Sequence, residues 1–115
     1  NTGYTRYTNN NNPINNPIYQ QHLSPYDQAL LDYKDTRIQL NKNCQASPSY
    51  VTYKNDTNIM IDNRSDVARI VKVGSVYKIE PYVFKIISLS SPIIQIAWYM
   101  SCDSSQNIAT ILIQK

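Results

Sequence analysis

The chain has 115 residues, 42% of them hydrophobic and 17% charged, with a formal charge of +3. That length holds one domain, and the apolar content is too high for a wholly disordered chain. No run reaches the ~18 apolar residues of a membrane span, and the small, mixed charge argues against a nucleic-acid partner, which needs cations clustered on one face.

Residues 1–22 read as an extended polar arm. They carry one charge, Arg6, with seven Asn, three Tyr and the tandem repeat Asn11-Asn12-Pro13-Ile14, Asn15-Asn16-Pro17-Ile18. Residues before proline are driven to extended backbone, and no apolar periodicity appears. Tyr4, Tyr7, Ile14, Ile18 and Tyr19 are the arm's apolar anchors, expected to dock on other protein subunits.

A short amphipathic helix is expected within residues 23–43. Ser24 is an N-cap, Pro25 suits the first helical position and Asp27 favours the helix dipole. The pattern runs to about Leu40. Leu23, Tyr26, Leu30, Tyr33, Arg37 and Leu40 follow coiled-coil spacing. Leu23, Tyr26, Leu30, Tyr33 and Leu40 would then form a self-association seam in a homo-oligomer. The alternative is a helix packed on its own sheet.

Residues 44–115 read as a β-sandwich head. Strand-like runs cover roughly 50–54, 58–62, 67–73, 76–80, 83–89, 93–100 and 107–114, with turn chemistry between them. Gly74-Ser75 is a hairpin turn candidate. The expectation is a mainly β, seven-strand sandwich or small barrel of jelly-roll or Ig-like type.

Cys44 and Cys102 are the only cysteines. In a small β protein they predict a disulfide and an oxidising, extracellular or surface location, with about 4 kcal/mol of stabilisation from the loop closed. The chain begins at Asn1, so the lack of a signal peptide says nothing about compartment. Asn55-Asp56-Thr57 and Asn63-Arg64-Ser65 are glycosylation acceptor triplets, placing candidate glycans on Asn55 and Asn63.

Few residues offer catalytic chemistry. The single histidine, His22, lies in the arm, and two glycines leave no phosphate-cradling loop. Asp62, Asp66 and Asp103 read as turn residues, and Arg64 places a cation inside the only calcium-like run, 62–66. No enzyme, metal or cofactor is expected. Ten tyrosines suit wet interfaces and carbohydrate or protein recognition, so a glycan receptor is a candidate partner.

Tyr99-Met100-Ser101-Cys102, with the strand Ile108 to Ile113, resembles the C-terminal ligand loop of cupredoxins, which are β-sandwiches of about this size. The family's copper site requires two histidines with the cysteine, one a few residues after it. Here residues 103–107 read Asp-Ser-Ser-Gln-Asn, so the resemblance implies the fold type and not the copper function. The layout of arm, helix and stapled head weakly resembles small all-β virion decoration or fibre-head proteins. That resemblance rests on Asn63-Arg64-Ser65 through Val73-Gly74, then Tyr77-Lys78-Ile79-Glu80-Pro81-Tyr82. It implies a non-enzymatic structural protein whose arm docks on neighbouring subunits. The alternatives are a pilus-like filament subunit and a secreted glycan- or protein-binding module.

Overall fold

The computed structural model describes residues 23–92 and 96–115, so the arm anchors Tyr4, Tyr7, Ile14, Ile18 and Tyr19 lie outside the described residues. Helix α1 spans Pro25–Asp32. It starts where the capping chemistry places it: the Ser24 side chain accepts from Asp27 N at 3.1 Å, satisfying a donor that the first turn leaves open. It ends early, at Tyr33, whose N–H bonds Ala29 O at 2.9 Å. The expected helix to Leu40 is corrected here. Arg37–Leu40 is strand β1, with Ile38 and Leu40 fully buried two residues apart. Over so short a stretch, period-2 burial and the end of a 3-4 pattern share positions, and pairing with a distant strand decides between them. Leu40 is therefore a core residue and no part of a helical seam; Leu23, Leu30 and Tyr33 are half-buried.

Eight further strands follow. They are β2 (Ala46–Ser47), β3 (Tyr50–Lys54), β4 (Thr57–Asn63), β5 (Arg69–Val73), β6 (Ser75–Ile79), β7 (Phe84–Leu89), β8 (Ile96–Cys102) and β9 (Ser105–Gln114). They form two sheets, ordered β2-β1-β4-β7 and β3-β9-β8-β5-β6. The chain is thus a β-sandwich with nine strands among the described residues, where seven were expected. The two additional strands are the short β1 and β2, which the sequence assigned to the helix and to the loop after it. Two ladders are parallel, β1 with β4 and β3 with β9. The expectation of a jelly-roll or Ig-like sandwich specified neither ladder, because strand order is set by pairing between segments remote in sequence.

The core lies between the sheets. Ile38, Leu40, Ile59, Ile61 and Leu89 from the first sheet meet Val71, Val73, Met100, Ile111 and Ile113 from the second. Burial of this kind supplies about 25 cal/mol per Å² of apolar surface and dominates the folding free energy. β4 is buried on both faces, because Met60 and Asp62 on its outer side are also fully covered. Tyr26 supplies part of that cover: its hydroxyl reaches Asp62 and its ring lies 6.0 Å from that of Phe84, which pairs with Asp62 across the sheet. The β5–β6 hairpin turns at Gly74, with φ +74°; a Cβ there would sit 2.7 Å from the Trp98 ring, so glycine meets both a backbone and a space requirement.

Candidate functional site

The chemistry-bearing side chains gather at one end of the sandwich, where β1 leaves for residues 41–45, β4 for 64–68, β6 for 80–83 and β8 for Asp103. Each loop is tied locally before it is tied to its neighbours. Asn41 Oδ1 accepts from Asn43 N at 2.9 Å and Gln45 N at 3.0 Å, closing the β1–β2 loop. Within that loop Cys44 adopts φ +57°. It is bonded to Cys102, Cα atoms 5.6 Å apart, as the two cysteines implied.

Asn63 builds the second loop. Its Oδ1 accepts from Ser65 N at 3.0 Å and Ser65 Oγ at 2.6 Å. Its Nδ2 is shared among Val67 O, Ile79 O and Glu80 O at 2.9–3.1 Å. Asn63 is fully buried, which corrects its reading as a glycan acceptor: the nitrogen a glycan would occupy holds two loops together. The amide of Asn55 is half-buried and bonds Ser91 through both its oxygen and its nitrogen, at 2.8 and 3.0 Å.

Arg69 latches the loops to one another. It donates from Nη1 to Asp103 Oδ2 at 2.8 Å, from Nη2 to Lys42 O at 2.6 Å and from Nε to Ser65 Oγ at 3.1 Å. Asp103 also accepts from Ile70 N at 2.9 Å. That backbone hydrogen bond first, and Arg69 second, hold its carboxyl below the ordinary aspartate range. A depressed folded-state pKa adds stability above the unfolded value, near pH ~4, and the stability is lost as pH falls through the folded value. Asp103→Asn is accordingly expected to flatten the acid side of the stability–pH curve, measured by urea midpoints from pH 7 down to pH 2.

Beside the latch lies a charge cluster. Asp62, with no exposed surface, accepts from Tyr26 Oη at 2.7 Å and from Arg37 Nε and Nη2 at 2.9 and 2.7 Å. Arg64 Nε stands 2.9 Å from Asp62 Oδ1 as an ion pair without hydrogen-bond alignment. Asp62 Oδ1, Arg64 Nε and Arg64 Nη2 are thus buried with no hydrogen bond. The Arg64 guanidinium lies 4.2 Å from the Tyr26 ring centroid and 5.3 Å from that of Tyr82, the arrangement of a cation–π stack. Burial, then the bond to Asp62, push the Tyr26 hydroxyl pKa up. Burial opposes the charge on Arg37, but its hydrogen bonds to Asp62 and Tyr26 outweigh burial and raise its pKa.

Next to this stack an open cleft of about 420 Å³ is lined by Asn41, Lys42, Asn43, Arg64, Ser65, Asp66 and Tyr82. Among the lining residues Lys42 and Arg64 oppose Asp66, so two cations against one carboxylate leave the cleft one unit positive. The sequence reading missed this assembly. It placed Arg37 and Tyr26 on a coiled-coil seam and Asp62 in a turn, whereas Asp62 lies inside β4. The available signal was Asp62 following Ile59-Met60-Ile61 without a break, because a carboxylate there must be paired.

The fold type raises the question of copper. Among the described residues one group of three metal-ligating side chains occurs, Cys44, Cys102 and Asp103, with ligand atoms within 4.8 Å of one another. Both sulfurs are spent in the disulfide, and His22 lies outside the described residues. The donor set therefore does not fit a centre built from two histidines and a thiolate.

No protein-family model matches the chain, and no curated protein matches it. Solved structures do. A purple cupredoxin from Nitrosopumilus maritimus is 11% identical and aligns over 70% of this chain and 100% of its own, with a TM-score of 0.54. An oxidised-state structure of an amicyanin mutant is 10% identical over 70% of this chain and 84% of its own, with a TM-score of 0.50. These neighbours correct the expectation of a virion decoration, fibre or filament protein, because the architecture that prompted it is that of another kind of sandwich. At such identities the likeness extends to the fold alone: the chain is a cupredoxin-like β-sandwich.

Proposed function

We propose that the chain is a ligand-binding sandwich that takes a small carboxylate-bearing molecule in the cleft at its Cys44–Cys102 end. The observation that carries this reading is Arg64. It lines the cleft with its side chain a quarter exposed, is stacked on two tyrosines, and is held from behind by Asp62, toward which its buried Nε is turned. A guanidinium fixed by stacking suits a planar carboxylate, with Lys42 adding a second positive charge. Tyr82, with φ +58°, supplies an exposed aromatic wall. The disulfide and the Arg69 latch keep the walls in place before the ligand arrives, which lowers the ordering cost of binding.

Backbone amide shifts of the full chain titrated with citrate, glucuronate or inorganic phosphate test this. The carboxylates are expected to move the amides of residues 41–43, 64–66 and 82. Arg64→Lys should weaken citrate about tenfold, about 1.4 kcal/mol, with the fold checked by its melting curve. Shifts that are absent at millimolar citrate, or that survive Arg64→Lys unchanged, would overturn the reading.

A further inference from the structure

The outer face of the five-stranded sheet forms a second surface that the cleft does not use. Alternation along β3, β9, β8, β5 and β6 sends Val51, Ile111, Met100, Val71 and Ile79 inward, so their sequence neighbours face out. Tyr50 pairs with Thr110, and Thr110 pairs with Tyr99, which sets two tyrosines in one cross-strand row with a threonine between them. The rings stand two strand spacings apart, about 10 Å. They are 63% and 58% exposed, against a buried core immediately beneath. Val76 and Ile70 extend the apolar area on β6 and β5, also exposed.

The charge on this face has one sign. The outward strand positions include Lys54, Lys72 and Lys78 and no acidic residue. Glu80, one residue past β6, lies 3.7 Å from Lys78; Lys54 and Lys72 make no ion pair among the described residues. Lys72 pairs with Ser101 on one side and Val76 on the other, placing an ammonium beside hydroxyl and apolar groups. A second copy of the chain would set lysine against lysine, so the charge disfavours self-association here.

We infer that this face binds a uronate-bearing polysaccharide. A pyranose ring offers a C–H face that packs on the electron-rich face of a tyrosine, while its hydroxyls meet Thr52, Thr110 and Ser101. Lys54 and Lys72 on separate strands, with Lys78 shared with Glu80, match a chain with one carboxylate per ring, whereas a densely sulfated chain or a nucleic acid calls for a closer cation array.

The test is isothermal titration of the full chain with short oligogalacturonates, dextran, dextran sulfate and polyglutamate. Oligogalacturonate binding is expected, weakened about tenfold by Tyr99→Ala or Tyr50→Ala and lowered by Lys72→Gln. Lys85→Gln on the other sheet should leave it unchanged, and Tyr99→Ala, Tyr50→Ala and Lys72→Gln should leave the citrate-induced amide shifts of the cleft unchanged, which separates this face from the cleft. The side chains of Tyr50, Lys72, Lys85 and Tyr99 are exposed, and melting curves confirm that each variant folds. Four results would each overturn the inference. They are no heat with oligogalacturonate, equal binding of dextran, binding of dextran sulfate or polyglutamate indifferent to both tyrosines, and a concentration-dependent mass abolished by Val76→Glu, which would assign the face to a second copy.

Discussion

Asp62→Asn is expected to destabilise the fold by about 3 kcal/mol or more. The substitution keeps the size of the side chain and removes its charge, leaving Arg37 and Arg64 facing one another without a counterion. Asp62 has no exposed surface and both arginine side chains are about three-quarters buried. Breaking a buried pair by removing one partner costs roughly 3–5 kcal/mol because the remaining charge is stranded, and here two are. The loss is expected as a lower urea midpoint at unchanged slope. A companion variant separates stranding from packing. Replacing Asp62, Arg37 and Arg64 together by apolar residues of similar size should recover most of the loss, since a buried ionic group is often no better than a well-packed apolar one. If Asp62→Asn melts like the parent, the cluster is not buried as described.

Reduction of the disulfide, or Cys44→Ala with Cys102→Ala, is expected to remove about 4 kcal/mol. The bond closes a loop across a sequence separation of 58, and in the chain-entropy model a loop of that size restricts the unfolded state by about that amount. Against a total stability of about 5–15 kcal/mol for a domain, this is a large share. The double variant should lose slightly more than the reduced parent, because Cys102 is fully buried and alanine leaves a gap where its sulfur packed. Paired urea melts with and without a dithiol reductant read both effects. An unchanged midpoint on reduction would show that the staple contributes nothing. A second readout follows from its position: Cys44 anchors the loop that carries Lys42 and Asn43 to the cleft, so reduction should also weaken citrate binding.

The two effects act on different states. Asp62 stabilises the folded state through contacts, whereas the disulfide acts mainly by restricting the unfolded chain. Their losses should therefore add approximately in a combined variant.

The strands from Tyr50 to Gln114 were legible in the residues, because each is recorded in its own alternation or in a continuous apolar run, such as Ile59-Met60-Ile61, and is bounded by its own turn chemistry. The start of the helix was legible for the same reason, since Ser24, Pro25 and Asp27 act within one turn. The disulfide followed from there being two cysteines and an oxidising composition. Tertiary structure alone decided the rest, because those features are set by partners remote in sequence. Arg37 became part of a strand when β1 paired in parallel with β4, and its guanidinium then faced Asp62, 25 positions away. Tyr26 left its apparent seam for the same carboxylate, 36 positions away. Asn63 matched an acceptor triplet in sequence, yet it is buried among backbone carbonyls of residues 67, 79 and 80. Cys102 stands in a segment resembling a copper-ligand loop, and its chemistry was settled by which side chain lay beside it. Local hydrogen bonding and alternation are written in neighbouring residues; burial and pairing of polar groups depend on what the whole chain brings next to them.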